Sequence, residues 1–472
     1  MKKILFFNTF SRREEEFVPL KEGHVGLYTC GPTVYNFAHI GNFRAYVFED
    51  ILRRTLKYFG YKVFQVMNLT DVDDKTIRGA ISSNLKLNEF TEQFKKAFFE
   101  DIEILRIERA EVYPAATEHI NEMIELIKTL EKKGFAYKAD DNSVYFSVAK
   151  FANYGKLSKI DMQNQIAGVR IKADEYSKEN TADFALWKAW DENDGDVYWD
   201  SPWGKGRPGW HIECSAMSMK YLGKTFDIHT GGIDNMFPHH EDEIAQSEAA
   251  NEAKFVNYWL HCEHLLVNGQ KMSKSMNNFY TLRDLLGKGF SGRQIRFLLL
   301  STHYRKKLNF TMEICDKAGQ TLENFDNFFR RLAFLTKQNS SGDDAKKITN
   351  EALDKFETGI AKDLNISESM AAIHFLTRET NKLLDAAMLS SKGAQNILDT
   401  FRKFDSILAV FDVDNATSFE IPDQIMKLVE ERQNARKDKN YELSDILREK
   451  INSLGWLIED TPQGPRIKEK KS

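Results

Sequence analysis

Two short motifs, far apart in the sequence, contain side chains and spacings that bind phosphate groups. The first is residues 39–42 (HIGN), in which Asn42 is expected to open a helix whose N-terminus offers N–H groups and the positive end of its dipole. The second is residues 271–275 (KMSKS), in which Lys271 and Lys274 lie three apart and could clamp a polyphosphate. Either motif alone also fits a surface turn or a solvated loop. Their order across an alternating strand and helix pattern predicts nucleotide activation.

A second group of residues can supply a complete set of zinc ligands. Cys30, Cys214, His239 and Glu243 would give two thiolates, one imidazole and one carboxylate. His239 and Glu243 are four apart, which places them on one face of a helix. The alternative is that the two cysteines are small buried residues and that His240 caps a helix.

A zinc ion beside a nucleotide site would indicate a substrate that contains sulfur. Zinc holds a thiol as thiolate near neutral pH, although the pKa of a free thiol is about 8.5. A hydroxyl analogue binds zinc less well, so such a site could separate cysteine from serine without a second hydrolytic site. Four protein ligands leave no open tetrahedral position, so the substrate must enter as a fifth ligand or displace one.

The elements around the first motif predict a βαβ unit. Residues 25–30 and 62–68 are apolar enough for strands, and 43–59 has apolar residues at helical spacing, with Asn42 as N-cap and Gly60 at the C-terminal end. The carboxyl ends of such strands hold the ligand, which here corresponds to the loop from Cys30 to Asn42.

The rest of the first half predicts one parallel sheet split by an insertion. Residues 114–200 form the insertion, with a helix at 119–133 and a strand at 143–148. The α/β pattern resumes with a strand at 226–229, a turn at Gly231 and Gly232, a helix at 241–250 and a strand at 258–261. We therefore expect an α/β fold with a Rossmann-type parallel-sheet catalytic domain.

The second half is predicted to be mostly α-helical. Polar linkers at 339–344 and 414–418 flank a helical bundle at 348–411, and a small charged module follows at 421–468. The expected domains are the first catalytic half (1–113), the connective insertion (114–200), the second catalytic half with the zinc site (201–270), the KMSKS loop with a stem-contact fold (271–338), the helical bundle (345–412) and a small anticodon-binding module (420–472).

Composition excludes several classes of protein. The chain of 472 residues has a formal net charge of −4, which argues against nonspecific coating of nucleic acid. No stretch approaches the roughly 20 apolar residues that span a bilayer, so we expect a soluble cytoplasmic protein without membrane association. The four cysteines are scattered, which favours metal or catalytic use over disulfides.

Six motifs together resemble the cysteinyl-tRNA synthetases, and the resemblance spans nearly the whole chain. They are residues 30–35 (CGPTVY), 39–42, 68–75 (NLTDVDDK), 209–217 (GWHIECSAM), 229–234 (HTGGID) and 271–275. The resemblance implies a class I aminoacyl-tRNA synthetase, with a Rossmann-type catalytic domain and insertion, a stem-contact fold, a helical bundle and an anticodon-binding module.

The resemblance also implies a reaction and a set of residue roles. Cysteine would react with ATP to give cysteinyl-adenylate and pyrophosphate, and the terminal ribose hydroxyl of tRNA-Cys would then accept the cysteine. The implied cofactors are one zinc ion per chain and Mg²⁺ with ATP, and a monomer is expected. The implied sites are zinc at Cys30, Cys214, His239 and Glu243; cysteine at Thr70 and Trp210; nucleotide or substrate at Gly232 and Asp234; the triphosphate at His39 and Asn42; and ATP at Lys274, helped by Lys271.

One residue departs from the pattern of the family, because Asn42 stands where the first signature usually ends in His. An amide can donate to a phosphate oxygen but cannot be cationic, which puts any role for a charged imidazole in doubt. Trp456, in the last module, has two interpretations: it could stack on a base of the tRNA, or it could be a core residue.

Three other functions fit parts of the sequence. An ATP-dependent ligase of the same fold could join cysteine to an aminosugar with the same sites, but such enzymes lack the module at 421–468. A zinc hydrolase could use Glu241 or Asp242 to activate water, which would leave the lysine motif without a role. A noncatalytic RNA-binding paralogue would not need both phosphate motifs and an intact zinc set.

Overall fold

The computed structural model describes residues 2–159, 182–273, 276, 278–417, 422–461 and 464–469. Lys274 and Ser275 of the lysine motif lie outside the described residues, as does the stretch 160–181 of the predicted insertion. No helix within the described ranges is long and apolar enough to cross a bilayer. The chain divides into two compact units: the first comprises Met1–Gln320, Glu357–Ser369 and Ser406–Val410, and the second comprises Thr321–Phe356, Met370–Asp405 and Phe411–Ser472.

The described strands and helices are numbered in chain order. The strands are β1 (Leu5–Asn8), β2 (Arg13–Glu16), β3 (His24–Thr29), β4 (Lys62–Met67), β5 (Ala136–Lys138), β6 (Val144–Phe146), β7 (Phe184–Ala189), β8 (Gly206–Pro208), β9 (Phe226–Gly232), β10 (Val256–Cys262), β11 (Leu265–Val267), β12 (Gln270–Lys271), β13 (Leu308–Phe310), β14 (Trp456–Thr461) and β15 (Gly464–Glu469). The helices are α1 (Ile40–Tyr58), α2 (Asp74–Ser82), α3 (Leu87–Ile104), α4 (Ile120–Lys132), α5 (Trp210–Leu222), α6 (Glu241–Asn251), α7 (Leu282–Gly287), α8 (Gly292–Leu300), α9 (Met312–Thr336), α10 (Lys346–Ala361), α11 (Ile366–Asp385), α12 (Ser391–Leu408), α13 (Val413–Thr417), α14 (Asp423–Lys437) and α15 (Tyr441–Ser453).

A four-stranded parallel sheet forms the centre of the first unit, with the strand order β10-β9-β3-β4. Strand β3 pairs with β4 on one side and with β9 on the other, so strands from both sides of the insertion meet in one sheet. The predicted Rossmann-type sheet, split by an insertion, is therefore confirmed. All four strands run in one direction, which brings their carboxyl ends to one edge.

Helix α1 connects β3 to β4 as predicted, but its N-cap is His39 and not Asn42. The helix begins at Ile40, which makes Asn42 the third helical residue. His39 and Asn42 form a reciprocal capping box, in which each side chain accepts a hydrogen bond from the backbone N–H of the other. The sequence rule favours Asn as an N-cap, and here a ring nitrogen of histidine takes that role.

The predicted turn at Gly231 and Gly232 is wrong, because both glycines are the last residues of strand β9. They pair with His261 and Cys262 of β10. A Cβ atom on Gly231 would lie 2.7 Å from the ring of His240, so the absence of a side chain permits this close approach. The glycines thus extend the strand into the site instead of reversing the chain.

The insertion contributes helix α4 and the first three strands of a separate antiparallel sheet with the order β5-β6-β7-β8. The last strand, β8, follows the predicted boundary at residue 200. Both the predicted helix at 119–133 and the predicted strand at 143–148 are present, as α4 and β6. Phe146 and Trp187 of this sheet are fully buried, and they belong to the same core cluster as Ile212 of α5. The apolar core therefore runs without a break from the insertion into the catalytic half.

The second unit is mostly helical, as predicted. Phe325 and Phe329 of α9 pack against Phe401 of α12 and Phe411, with ring centroids 4.9–6.2 Å apart. The predicted linker at 339–344 lies between α9 and α10. By contrast, the predicted linker at 414–418 is helix α13 in its described part.

Two contacts account for the correction at α13. Val413 is buried, and the carboxylate of Asp414 accepts a hydrogen bond of 2.8 Å from Arg402. A stretch of polar residues therefore forms a short helix, because its first two residues are held by burial and by a contact with Arg402.

The last module consists of helices α14 and α15 and the antiparallel hairpin β14-β15. Its core contains Ile425, Leu428, Val429, Leu447, Ile451, Trp456 and Ile458. Arg432 of α14 is buried and forms two hydrogen bonds of 2.8 Å with the carboxylate of Asp460 in β14. Trp456 is 8% exposed, so the core interpretation of this residue is confirmed.

Trp456→Ala should destabilise this module by about 3–5 kcal/mol, because it removes a large buried ring and leaves a cavity. The measurement is native-state hydrogen exchange of residues 423–461, with Trp456→Phe as the control that keeps a ring in the core. A variant that retained full protection but bound tRNA more weakly would instead support base stacking.

Candidate active site and metal centre

A cavity of about 390 Å³ lies where the strands of the parallel sheet end. Cys30 follows β3, Asn68 follows β4, and Gly232 and Cys262 are the last residues of β9 and β10, and all four line the cavity. This is the place in an open parallel sheet where ligands bind. The cavity also contains the predicted site residues His39, Asn42, Thr70, Trp210, Cys214, Asp234, His239 and Lys271.

The capping box determines which atom of His39 is available to a ligand. His39 Nδ1 accepts the backbone N–H of Asn42 at 3.1 Å, so that nitrogen carries no proton. Burial lowers the pKa of His39, which favours the neutral ring. The proton of the neutral imidazole then resides on Nε2. In return, Asn42 Oδ1 accepts the backbone N–H of His39 at 3.1 Å.

The segment that follows the lysine motif packs on the start of α1. The carbonyl of Tyr280 accepts the N–H of Ile40 at 3.0 Å, and the ring of Phe279 lies 5.1 Å from that of His39, edge to face. A Cβ atom on Gly41 would lie 2.9 Å from the terminal methyl of Met272. Glycine at position 41 thus allows Met272 of the lysine motif to approach the start of α1 closely.

Lys271 lines the cavity and is exposed, while Lys274 lies outside the described residues. The side chain of Asn278 accepts the N–H of Ser273 at 2.8 Å and donates to the carbonyl of Lys271 at 3.2 Å. This amide holds the backbone beside Lys271, so the lysine is presented from a fixed position.

Cys30, Cys214, His239 and Glu243 converge beneath the cavity, and one ligand atom from each lies within 4.8 Å of the others. Cys30 is at the end of β3, Cys214 is in α5, His239 precedes α6 and Glu243 is in its first turn. All four side chains are buried. The four-residue spacing of His239 and Glu243 places Nε2 of His239 3.1 Å from Oε1 of Glu243.

The electrostatics of this group favour a bound cation. The hydrogen bond with Cys214, together with burial, raises the pKa of Cys30 well above its usual value. Burial raises the pKa of Glu243 to about 8 and lowers the pKa of His239 to about 3. Glu243 Oε1 is buried without a hydrogen-bond partner among the described residues. Two thiols, a neutral imidazole and a carboxyl group with a free oxygen match the ligands that zinc prefers.

Two histidines adjoin this donor set that sequence analysis did not assign to it; His240 was considered only as a possible helix cap. His229 Nε2 lies 3.0 Å from Glu243 Oε2, and His240 Nε2 lies 3.2 Å from Cys30 Sγ. With Cys30 and Glu243 they form a second group whose ligand atoms lie within 4.8 Å of one another. Ionisable residues in an otherwise apolar strand, such as His229 in β9, are the signal that could have identified them.

Trp210 and Thr70 border the metal donors on the cavity side. The indole of Trp210 stacks on His239, with centroids 4.4 Å apart and an angle of 28° between the rings. The hydroxyl of Thr70 donates to Glu213 at 3.0 Å. Glu213 is fully buried, and burial raises its pKa well above the usual value. Sequence analysis did not single out Glu213, which fixes the orientation of Thr70.

Glu49 of α1 is a further buried carboxyl group that sequence analysis missed. It accepts the hydroxyl of Thr230 at 2.9 Å, and the carbonyl of Thr230 accepts the N–H of Cys30 at 3.3 Å. Burial raises the pKa of Glu49 to about 8. Its signal in the sequence is an acidic residue beside Phe48, within the apolar face of a helix. The contact ties α1 to the strands that end at the cavity.

The fold and the site define a class of protein, and comparisons with known proteins agree. The family model for the class I (C) catalytic domain of tRNA synthetases matches residues 16–320. Methionyl-tRNA synthetase of Mycobacterium tuberculosis in complex with methionyl-adenylate superposes with a TM-score of 0.64 at 13% identity, covering 85% of this chain and 95% of that one. A putative arginyl-tRNA synthetase from Campylobacter jejuni gives a TM-score of 0.55 at 12% identity, covering 84% and 92%. The fold is that of a class I aminoacyl-tRNA synthetase.

Curated relatives narrow the class further. The cysteine–tRNA ligase of Protochlamydia amoebophila (strain UWE25) is 52% identical over 468 residues, covering 98% of both chains. That of Brachyspira hyodysenteriae (strain ATCC 49526 / WA1) is 51% identical over 477 residues, covering 100% of both. The chain belongs to the cysteine–tRNA ligase family, and the resemblance drawn from the six motifs is confirmed.

Glu49→Gln should flatten the pH dependence of stability. The folded protein holds the Glu49 carboxyl protonated up to about pH 8, whereas an exposed glutamate ionises near its usual pKa of 4.5. The stabilising proton is present at low pH, and its contribution is lost as pH rises from about 4.5 to 8, at up to about 1.4 kcal/mol per pH unit.

The check is urea unfolding of the zinc-supplemented protein at a series of pH values between 5 and 8.5. The wild type should lose stability more steeply than Glu49→Gln, which keeps the acceptor for Thr230 but does not titrate. Parallel curves for the two proteins would show that Glu49 ionises freely.

Proposed function

We propose that this protein activates L-cysteine with ATP and transfers the cysteine to the 3′ end of tRNA-Cys. The observation that carries the proposal is that one cavity contains both the donors Cys30, Cys214 and His239 and the start of helix α1 at His39 and Asn42. A thiol-binding group and a phosphate-binding group in the same cavity fit a substrate that joins a cysteine to an adenylate. The names of the curated relatives support the same reaction.

Cys30, Cys214, His239 and Glu243 would hold one zinc ion. When bound, zinc supplies a Lewis acid that favours the thiolate of cysteine over the hydroxyl of serine. The chain's own residues would complete the amino-acid pocket. Trp210, which is 44% exposed, offers an apolar wall beside His239, and Thr70 offers a hydroxyl oriented by Glu213.

In the activation step, a carboxylate oxygen of cysteine would attack the α-phosphorus of ATP, and the bond from that phosphorus to the bridging oxygen of pyrophosphate would break. His39 would donate its Nε2–H to a phosphate oxygen, at the positive end of the α1 dipole. Lys271 and Lys274 would hold the phosphates, and Mg²⁺ would accompany ATP. Gly232 and Asp234 would face the nucleotide, since Asp234 is exposed at the rim of the cavity.

Asn42 changes the assignment of charge at this site. Its carbonyl oxygen is used by the capping box, and His39 is neutral because of burial. Neither residue of the first motif therefore brings a positive charge to the phosphates. The charge that develops on pyrophosphate would be neutralised by the lysines and by Mg²⁺, while the first motif positions the phosphate by hydrogen bonds.

In the transfer step, the terminal ribose hydroxyl of tRNA-Cys would attack the carbonyl carbon of cysteinyl-adenylate and release AMP. The domain boundaries given above assign stem contact to 271–338 and anticodon binding to 420–472. We infer a cytoplasmic monomer as the working form. The full-length similarity to the curated relatives supports transfer of cysteine to tRNA over the reaction of a small-molecule ligase that lacks an anticodon module.

The direct test is cysteine-dependent exchange of pyrophosphate into ATP, with serine as the competing substrate and a parallel tRNA-charging assay. We expect exchange with cysteine only, together with charging of tRNA-Cys. Exchange without charging of any tRNA would indicate a ligase with a small acceptor such as an aminosugar. No exchange on zinc-supplemented protein would contradict the adenylate mechanism.

Cys214→Ala should remove bound zinc and lower kcat/KM for cysteine by at least about 100-fold, because a donor to the metal is lost. Cys315→Ala is the matched control, since Cys315 is also buried but lies in α9, outside the cavity. Zinc content and exchange are measured on both variants. Unchanged zinc and unchanged exchange in Cys214→Ala would contradict the assignment.

A further inference from the structure

His211 lies between the donor His239 and an acidic residue of helix α6. Its Nδ1 atom is 2.8 Å from Nδ1 of His239, and its Nε2 atom is 3.3 Å from Asp242 Oδ2. The ring of Phe184 meets the ring of His211 edge to face at 5.8 Å. Because the side chain of His211 is only 13% exposed, these contacts hold it in one orientation.

The short distance between the two Nδ1 atoms requires a single proton between them. Two bare nitrogens would repel each other, and two N–H groups would clash. If His239 Nε2, which lies 3.1 Å from the fellow donor Glu243 Oε1, binds the metal, the proton of the neutral ring must reside on Nδ1. His211 Nδ1 is then the acceptor, and the proton of its neutral ring is on Nε2, which faces Asp242.

The resulting hydrogen bonds run in one direction. Asp242 then accepts from His211, and His211 accepts from His239, while His239 Nε2 lies 3.1 Å from Glu243 Oε1. A metal-bound histidine generally donates its second N–H to an acceptor, which fixes the tautomer and the plane of the ring. In most such sites the acceptor is a carboxylate or a carbonyl, whereas here a second histidine is interposed.

Asp242 is itself held by the insertion. The hydroxyl of Tyr154 donates to Asp242 Oδ1. The neighbouring Glu241 accepts the N–H of Gly155 and the N–H of Ser158, each at 2.8 Å. Both carboxylates are buried. Residues 154–158 therefore hold the start of α6 by hydrogen bonds, and α6 is the helix that contains Glu243.

We propose that His211 is a positioning residue for the metal donor His239, and that Asp242 and Tyr154 link this donor to the insertion. The inference rests on the metal centre proposed above. The face of the His239 ring stacks on Trp210, and its edge contacts His211. The ring is therefore held both by His211 and by the indole that borders the amino-acid pocket. A change in the insertion would then alter metal affinity without contact with the metal.

Zinc affinity, measured by competition with a chromophoric chelator, tests the proposal on the full chain. His211→Phe keeps a ring against Phe184 but removes the acceptor, and it should weaken zinc binding by about 10–100-fold. His211→Asn places an amide oxygen where Nδ1 lies and should retain affinity within about threefold of the wild type. The visible spectrum of the cobalt-substituted protein should change in His211→Phe and not in His211→Asn.

Tyr154→Phe tests the link to the insertion and remains informative should His211→Phe not fold. It should weaken zinc binding by less than His211→Phe but measurably. Tyr145→Phe is the matched control, because Tyr145 also belongs to the insertion and its hydroxyl donates to Asp141 at 3.0 Å, away from the donor set. This control should bind zinc as the wild type does.

Wild-type zinc affinity and an unchanged cobalt spectrum in both His211→Phe and Tyr154→Phe would overturn the proposal. An equal loss in Tyr154→Phe and Tyr145→Phe would also overturn it, since the effect would then be a general one on the insertion. Failure of the proposed function can be told apart from failure of this inference. If the proposed function is wrong, the wild type will show no pyrophosphate exchange, but the zinc affinities of the variants can still be compared.

Discussion

A buried group of acidic donors cannot hold negative charge without a cation beside it. Cys30, Cys214 and Glu243 come from different elements, and their pKa values are all raised. At Cys214 the hydrogen bond with Cys30 lowers the pKa, but burial and the nearby Glu243 together raise it by more. Among described residues, Glu243 Oε1 has no hydrogen-bond partner. In the absence of a cation these groups favour their protonated forms, and a divalent ion at the same place would reverse that preference. The parallel sheet, the start of α6 and the insertion all contribute to holding this one group.

The constraint also explains why the two halves of the site differ in character. On the side of Cys30, Cys214, His239 and Glu243, the side chains are buried between strands and helices. The phosphate side is formed by the start of α1, by Asp234 and by Lys271, which are accessible from the cavity. A substrate with a thiol at one end and a charged phosphate at the other matches this gradient. Burial keeps His39 neutral, so hydrogen bonding and cationic charge are assigned to different residues.

Sequence analysis located the parallel sheet and brought forward four residues that the fold places together as possible metal ligands, because local patterns encode part of both. Strands β3 and β4 are apolar runs, and His239 and Glu243 show helical spacing. The predicted N-cap of α1 was wrong because the choice between His39 and Asn42 depends on a reciprocal side-chain contact that neither residue type specifies. Gly231 was assigned to a turn since its reason for being glycine, the nearby ring of His240, comes from packing.

The residues that sequence analysis missed share one property, which is that tertiary contacts define their role. The role of Glu49 depends on its hydrogen bond with Thr230, and the role of His211 depends on its position between His239 and Asp242. Each lies in a different element from its partners and is far from them in the sequence. An acidic residue in an apolar face is a signal, but its partner cannot be deduced from a single sequence. The helix α13 was missed for a similar reason, since Arg402 holds it from another helix.

X-ray absorption at the zinc edge, before and after addition of cysteine, tests the central claim most directly. The account predicts two sulfur ligands at about 2.3 Å and two nitrogen or oxygen ligands at about 2.0–2.2 Å in the free protein. Addition of cysteine should add a third sulfur, whereas serine should leave the spectrum unchanged. A protein without bound zinc, or a spectrum that cysteine does not alter, would contradict it.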